Sequence, residues 1–104
     1  MNYTADEVKV NSIGVKIKLN AGEDISSASP LQMMIEQPNG TIITVTATVE
    51  DTNYFIYTTT SNDGSSGDTI FNQNGYYFAI GYMTLGTFVG YTETLRIKAV
   101  SKFG

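Results

Sequence analysis

Acidic residues are the side chains of this chain whose types and spacing could support a reaction or a metal site. They form three groups near expected strand ends, namely Glu23 with Asp24, Glu50 with Asp51, and Asp63 with Asp68. Paired carboxylates can hydrolyse glycosidic bonds or bind calcium. However, the polar loop from Ser61 to Asp68 lacks the alternating acidic ligands of a calcium loop, and no motif indicates a sugar cleft. We therefore interpret these acids as solvated loop residues and predict no catalytic residue, metal site or cofactor.

The composition excludes further classes of chemistry. The chain has no cysteine and no histidine, so it has no disulfide framework, no thiolate zinc site, no cysteine nucleophile and no imidazole base. Its net charge of −4 disfavours nucleic-acid binding, which needs a basic surface. No segment approaches the run of about 18–20 apolar residues that spans a membrane. We predict a protein that is not an enzyme and has neither a nucleic-acid nor a membrane partner.

The elements that position these side chains are β-strands. The clearest is a hairpin in which apolar residues alternate with polar ones on both sides of Pro38-Asn39-Gly40. Proline presets φ for a turn, and Asn-Gly tolerates positive φ. The inward positions of the hairpin are Leu31, Met33 and Ile35 on one strand, and Ile43, Val45, Ala47 and Val49 on the other.

The same alternation continues along all 104 residues, which we assign to a single domain, 1–104. No helical period of useful length is present, and turn signals recur every 8–12 residues. This pattern predicts an all-β fold, an antiparallel β-sandwich of about seven strands. Residues 1–11 form either an extended N-terminal arm or the first strand. Lys16 and Lys18 are expected on a solvated strand face, and Thr87 to Ser101 on one long final strand.

Tyr77 is a structural candidate. The sequence Gly75-Tyr76-Tyr77 opens the penultimate strand and fits the tyrosine corner of immunoglobulin-like sandwiches. In that motif, the hydroxyl hydrogen-bonds to the backbone of the preceding connection. We therefore expect Tyr77 to face inward and to stabilise the fold rather than bind a partner.

The opposite face of this strand is the candidate interface. If Tyr77 points inward, its neighbours at every second position point outward and form an exposed apolar stripe. Exposed aromatic and methionine-rich patches mark protein interfaces. The predicted interface residues are Met34, Tyr76, Phe78, Ile80, Tyr82, Arg96 and Lys98. The alternatives are that the inner and outer faces of the strand are reversed, or that a loop or the N-terminal segment covers this face.

Five segments of the chain match, in order, the motifs of a known group of small proteins. They are Asp24 to Ala28, Leu31 to Ile35, Pro38 to Thr41, Gly75 to Tyr77, and Thr92 to Val100. With these motifs the chain resembles immunoglobulin-like virion proteins of tailed bacteriophages. The N-terminal domain of phage baseplate upper proteins is similar, as are short stand-alone virion proteins.

The resemblance implies an immunoglobulin-like fold and a structural or accessory role on a capsid, tail or baseplate. It also implies other virion proteins as partners and many symmetric copies per particle. The first ten residues lack the apolar run of a signal peptide, so we expect synthesis in the host cytoplasm and localisation in the virion. The alternative is a host-surface or carbohydrate-binding module. The contiguous stripe and the absence of tryptophan favour docking over sugar stacking.

Overall fold

The computed structural model describes residues 3–4, 7–64 and 68–101. Residues 1–2 and 5–6 of the possible N-terminal arm and residues 65–67 of the polar loop lie outside these ranges. The described residues form nine strands of three or more residues and one of two, and no helix. In chain order they are β1 (Tyr3–Thr4), β2 (Glu7–Lys9), β3 (Val15–Asn20), β4 (Leu31–Glu36), β5 (Ile42–Thr46), β6 (Thr48–Glu50), β7 (Tyr54–Thr58), β8 (Gly75–Leu85), β9 (Phe88–Tyr91) and β10 (Leu95–Val100).

These strands form two sheets. The four-stranded sheet has the order β1-β3-β7-β6, and the six-stranded sheet has the order β2-β10-β8-β4-β5, with β9 also paired to β8. The all-β prediction is confirmed, but the estimate of about seven strands is too low. Two predicted long strands are each divided in the structure, and the N-terminal segment supplies two short strands.

The prediction of a purely antiparallel arrangement is wrong at two places. β1 pairs with β3 in parallel, and β2 pairs with β10 in parallel. Only antiparallel neighbours can be joined by a tight hairpin, and neither of these pairs is joined in that way. The described residues of the N-terminal segment therefore add one short strand to each sheet.

The hairpin between β4 and β5 is confirmed, with Met33 opposite Val45. Pro38 and Asn39 are the central residues of its turn, because the Gly40 N–H donates to the Gln37 carbonyl at 2.8 Å. Gly40 has a φ of +89°, which a side chain would disfavour. The Asn39 Oδ1 accepts a hydrogen bond from the Thr41 N–H at 3.0 Å. The turn thus fixes the register of the hairpin.

The strand that follows this turn changes sheets. β5 pairs with β4 in the six-stranded sheet, whereas β6 pairs with β7 in the four-stranded sheet. Ala47 lies between them, is buried, and donates its N–H to the Leu31 carbonyl at 3.0 Å. One alternating segment therefore serves both sheets.

The two sheets share one core, to which both contribute their inward residues. A Cβ atom built on Gly81 of β8 would lie 2.9 Å from the Phe55 ring of β7, so the two inner faces pack tightly. Ile25 and Ala28, in the connection before β4, are buried in this core. Its largest fully buried side chains are Tyr77, Phe55, Phe71, Ile17, Leu19, Ile25, Met33, Ile35, Ile70, Met83 and Ile97.

The expectation of a solvated basic face on β3 is wrong. Lys16 is buried and its Nζ lies 2.6 Å from Glu50 Oε1, while the Lys18 Nζ lies 3.1 Å from Glu50 Oε2. Lys18 also lies 4.2 Å from the ring centroid of Tyr54. Strand alternation correctly separates these lysines from the core, but it does not reveal that Glu50 of β6 reaches them across β7.

Candidate docking surface

The solvent side of the six-stranded sheet, called here the outer face, is organised by β8. Burial alternates along this strand as expected, with Tyr77, Ala79, Gly81 and Met83 buried. The residues between them are exposed or half-buried and point to the other side. Tyr76 is 45 % exposed and Phe78 is 39 % exposed, which is high for aromatic side chains. The outer face is therefore accessible in the described part of the chain.

Pairing of β8 with its neighbours brings all seven predicted interface residues onto this face. Arg96 and Lys98 of β10 lie opposite Phe78 and Tyr76, respectively. On the other side of β8, Met34 of β4 lies opposite Ile80, and Gln32 lies opposite Tyr82. Directly opposed side chains in a sheet are close enough to interact. The predicted set is thus one continuous surface rather than scattered positions.

The apolar centre of the outer face is a shallow groove of about 270 Å³. Its walls come from β4, β5 and β8 and from the segment before β10. Four apolar side chains, one carboxylate and one hydroxyl line it: Met34, Glu36, Ile42, Phe78, Ile80 and Thr94. A groove of this character can accept an aliphatic or aromatic side chain of a partner.

One end of the outer face is basic and aromatic. The Arg96 guanidinium lies over the Tyr76 ring, 4.9 Å from its centroid, which is a favourable cation–π distance. Lys98 and Glu7 join these two residues around a polar depression of about 220 Å³. The charge of the face is therefore mixed, since Glu7 of β2 lies opposite Lys98 and Glu36 of β4 lies opposite Phe78.

Sequence reasoning missed three exposed apolar residues of this face: Ile42, Val89 and Tyr91. Ile42 is 61 % exposed and opens β5, opposite Glu36. Val89 and Tyr91 belong to β9, where Tyr91 lies opposite Tyr82 with ring centroids 5.4 Å apart. The sequence does contain a signal for Ile42. This residue is apolar but directly precedes the inward-facing Ile43, so it must point outward.

Val89 and Tyr91 were missed because the predicted strand Thr87–Ser101 is interrupted. Tyr91 lies opposite Tyr82 and Leu95 lies opposite Ala79, so two residues of β8 face three residues of the other segment. This extra residue is a β-bulge, and it reverses which side chains face outward.

The hydroxyl of Thr92 stabilises this bulge. It accepts a hydrogen bond from the Gly81 N–H at 2.8 Å and donates one to the Glu93 carbonyl at 2.9 Å. The Thr92 N–H in turn donates to the Gly81 carbonyl at 2.9 Å. Thr92 therefore stabilises the bulge that places Val89 and Tyr91 on the outer face.

Tyr77 lies on the opposite, inner side of β8. Its ring is fully buried and packs edge-on against Phe71 at a centroid distance of 4.8 Å. Its hydroxyl accepts a hydrogen bond from the Gln73 N–H at 3.0 Å and donates one to the Gln73 carbonyl at 3.2 Å. Burial raises the pKa of Tyr77, so the hydroxyl stays protonated and can keep both roles. These contacts fix the connection that enters β8.

Among the described residues, no group of three or more histidine, cysteine or acidic side chains is placed to hold a metal ion. The interpretation as solvated loop acids is nevertheless wrong for Glu50, which lies in β6 and pairs with two lysines, and for Asp63. The Asp63 Oδ2 accepts hydrogen bonds from the Tyr57 hydroxyl at 2.7 Å and the Thr60 N–H at 2.8 Å. Its Oδ1 accepts from the Ile70 N–H at 3.0 Å and, at 3.5 Å, from the Thr69 hydroxyl. Burial and the adjacent carboxylate raise the pKa of Tyr57 well above its usual range.

Comparison of the chain with protein-family models, curated proteins and solved structures gives no match. The part of the chain that the structure describes contains no helix that could cross a membrane.

Proposed function

We propose that this chain is a non-enzymatic structural or accessory protein of a tailed-bacteriophage virion, which docks on a larger capsid or tail assembly through its outer face. One observation carries the docking part of the proposal. Of the six large hydrophobic side chains that are exposed among the described residues, five lie on this face: Ile42, Tyr76, Phe78, Val89 and Tyr91. Contiguous exposed apolar surface of this kind is typical of interaction sites.

The virion part of the proposal rests on the sequence resemblance, and the strand order supports the immunoglobulin-like fold that it implies. The order β3-β7-β6 agrees with strands B, E and D of such sandwiches, and β10-β8-β4-β5 agrees with strands G, F, C and C′. The hydroxyl contacts of Tyr77 with Gln73 agree with a tyrosine corner. Both features favour an immunoglobulin-like β-sandwich as the detailed form of the fold.

Docking on protein is favoured over binding of carbohydrate by the character of the groove. A sugar platform pairs an aromatic ring with hydrogen-bonding groups beside it. Four of the side chains that line the groove have no strong hydrogen-bonding group: Met34, Ile42, Phe78 and Ile80. Glu36 and Thr94 are the lining side chains that could bond to hydroxyl groups, so most of the groove is apolar. Buried aromatic and aliphatic anchors are instead what a protein interface uses for most of its affinity.

The test is incorporation of variants into purified particles of the source phage. Phe78→Ser combined with Ile80→Ser removes the apolar centre of the face while changing no core side chain. We expect this variant to fold, by circular dichroism and thermal unfolding, and to be absent from particles. The matched control is Ser61→Glu in the exposed loop, which should be incorporated normally.

Two outcomes would contradict docking through this face. Loss of incorporation in the Ser61→Glu variant alone would move the attachment to the loop end of the molecule. Normal incorporation of both variants would point to the N-terminal segment 1–11 or to a sheet edge, to which an added strand can pair. Specific retention of the wild-type chain on a glycan array, lost in the Phe78→Ser and Ile80→Ser variant, would favour the carbohydrate-binding alternative.

A further inference from the structure

The outer face has an approximate internal symmetry centred on β8. This strand is the third of five along the path β2-β10-β8-β4-β5, so each side of it carries two strands. At the position of Phe78, β10 places Arg96 on one side and β4 places Glu36 on the other. Neighbouring strands lie about 4.8 Å from β8, so the backbone positions of Arg96 and Glu36 are nearly equidistant from that of Phe78.

From this arrangement we infer that two copies of this chain pair through their outer faces around a two-fold axis that runs along β8. The rotation superposes β8 on its counterpart and exchanges the β10 side with the β4 side. Arg96 of each copy then faces Glu36 of the other, and the two Phe78 side chains meet at the axis. This is the self-complementary pattern of an isologous dimer interface, in which each contact occurs twice.

The charges select this axis over the obvious alternative. A two-fold axis through Phe78 but perpendicular to the strands would place Arg96 against Arg96 and Glu36 against Glu36, which is repulsive. Sheets packed face to face lie about 10 Å apart, a gap that Arg and Glu side chains together can bridge. Among the described residues Glu36 forms no ion pair within its own chain, and both Glu36 and Arg96 are exposed.

The contact area expected of this pairing is that of a weak, transient dimer. Between Tyr76 and Tyr82 the rotation sets β8 and the strand on each side of it against the same three strands of the other copy, because β2 pairs with β10 only as far as Lys98, opposite Tyr76. Three strands about 4.8 Å apart, and residues rising about 3.4 Å each, give roughly 350 Å² per copy, or roughly 700 Å² for the two copies together. This is below the size of a stable interface and in the range of weak encounters, so we expect a dissociation constant of about 100 µM or weaker.

The inference shares its surface with the proposed docking but does not depend on it. A second copy and a larger assembly would compete for the outer face, so the dimer is a state of the free protein. In the dimer, the second copy covers the exposed groove, including Met34 and Phe78, before assembly. The experiment therefore uses the purified chain alone, without particles.

Charge reversal provides a sharp test by sedimentation velocity over a range of concentrations. Wild type should form a concentration-dependent dimer. Glu36→Arg and Arg96→Glu should each weaken the dimer at least about 10-fold, because each sets like charges against each other at two symmetric places. The double variant, with both changes, should recover dimerisation. An equimolar mixture of the two single variants should also dimerise, because every charge then faces its opposite. Glu23→Arg, in an exposed loop, is the control and should dimerise like wild type.

Three results would overturn the inference. They are a monomeric wild type at every concentration, dimers that persist in both single variants, and a double variant that stays monomeric although its thermal unfolding matches wild type. Persistent dimers would place the contact elsewhere, for example at the sheet edge formed by β5. Incorporation into particles is measured separately, so a failed dimer and a failed docking proposal can be distinguished.

Discussion

Tyr76 and Tyr77 are neighbours in the chain and lie in opposite environments. Tyr76 is exposed on the outer face beneath Arg96, whereas Tyr77 is fully buried against Phe71. The difference follows from the two-residue period of a β-strand. It assigns one tyrosine to a surface contact and the other to the stability of the fold.

We predict that Tyr77→Phe lowers the free energy of unfolding by about 1–3 kcal/mol, because the N–H and carbonyl of Gln73 lose their hydrogen-bond partner. Tyr76→Phe keeps an exposed ring and should change stability by less than about 0.5 kcal/mol. Urea denaturation of both variants measures the difference. Equal effects at the two positions would contradict the assignment of inner and outer faces.

At Asp63, a single carboxylate organises a whole loop. It joins the end of β7, through Tyr57 and Thr60, to the segment at Thr69 and Ile70 that leads towards β8. Because both of its oxygens already accept hydrogen bonds, this acid is occupied by the fold itself. Its role is structural.

We predict that Asp63→Ala lowers the free energy of unfolding by about 2–3 kcal/mol, the range for losing hydrogen bonds to a charged group. Asp68→Ala, in which the lost bond is the exposed one from Asn72, should cost less than about 0.5 kcal/mol. Chemical denaturation of both variants, with and without calcium, is the measurement. A melting temperature that rises by several degrees with calcium, and only while Asp63 and Asp68 are both present, would indicate a metal site instead.

At the level of secondary structure, ion pairs connect strands on either side of β7 in the four-stranded sheet. Glu50 of β6 reaches over β7 to Lys16 and Lys18 of β3. Hydrogen bonds from Lys16 and Lys18 hold the pKa of Glu50 below its ordinary value of 4.5, and the bond to Glu50 raises the pKa of Lys18 above 10.5. Both shifts favour the charged forms in the folded state.

The pH dependence of stability follows from the signs of these shifts. The contribution of Glu50 to the stability of the folded state is present above pH 4.5. It is lost as the pH falls through the lower pKa that Glu50 has in the folded state. The contribution of Lys18 to stability is present below pH 10.5 and is lost as the pH rises through its higher pKa in the folded state.

We predict that Glu50→Gln lowers the melting temperature near neutral pH. The difference in melting temperature between this variant and wild type should shrink below pH 4.5. Glu23→Gln, in an exposed loop, is the control. A difference that stays constant at acid pH would contradict this role of Glu50.

For the molecule as a whole, the N-terminal segment connects the two sheets. β1 pairs with β3 of one sheet, and β2 pairs with β10 of the other. Val8 of β2 is 3 % exposed and belongs to the shared core. The described part of this segment is therefore integral to the fold rather than a free arm.

We predict that Val8→Ala lowers the free energy of unfolding by about 2 kcal/mol, the sum of lost burial and a small cavity. Lys9→Ala, an exposed neighbour on the same strand, should be nearly neutral. Hydrogen exchange should also show faster exchange at the edge of β10 in the Val8 variant than in wild type. Equal stability of the Val8 and Lys9 variants would mean that β2 contributes little to the core.

Features that depend on neighbouring residues could be predicted from the amino-acid sequence. Alternation placed Tyr77 inside and Phe78 outside, and the turn residues Pro38 and Gly40 located the hairpin between β4 and β5. Such features are local, because strand phase and turn chemistry are set within a few residues.

Contacts between distant segments could not be predicted from the sequence and are seen in the folded structure. The N-terminal strands pair in parallel with β3 and β10, and Glu50 forms an ion pair with Lys16. Both carboxylate oxygens of Asp63 accept hydrogen bonds, from donors on two sides of a loop. The bulge at Thr92 is a further feature of this kind, and it places Tyr91 on the outer face. A bulge reverses the phase of all residues beyond it, and a partner across a sheet is chosen by packing of the whole molecule, so neither leaves a periodic signal in the chain.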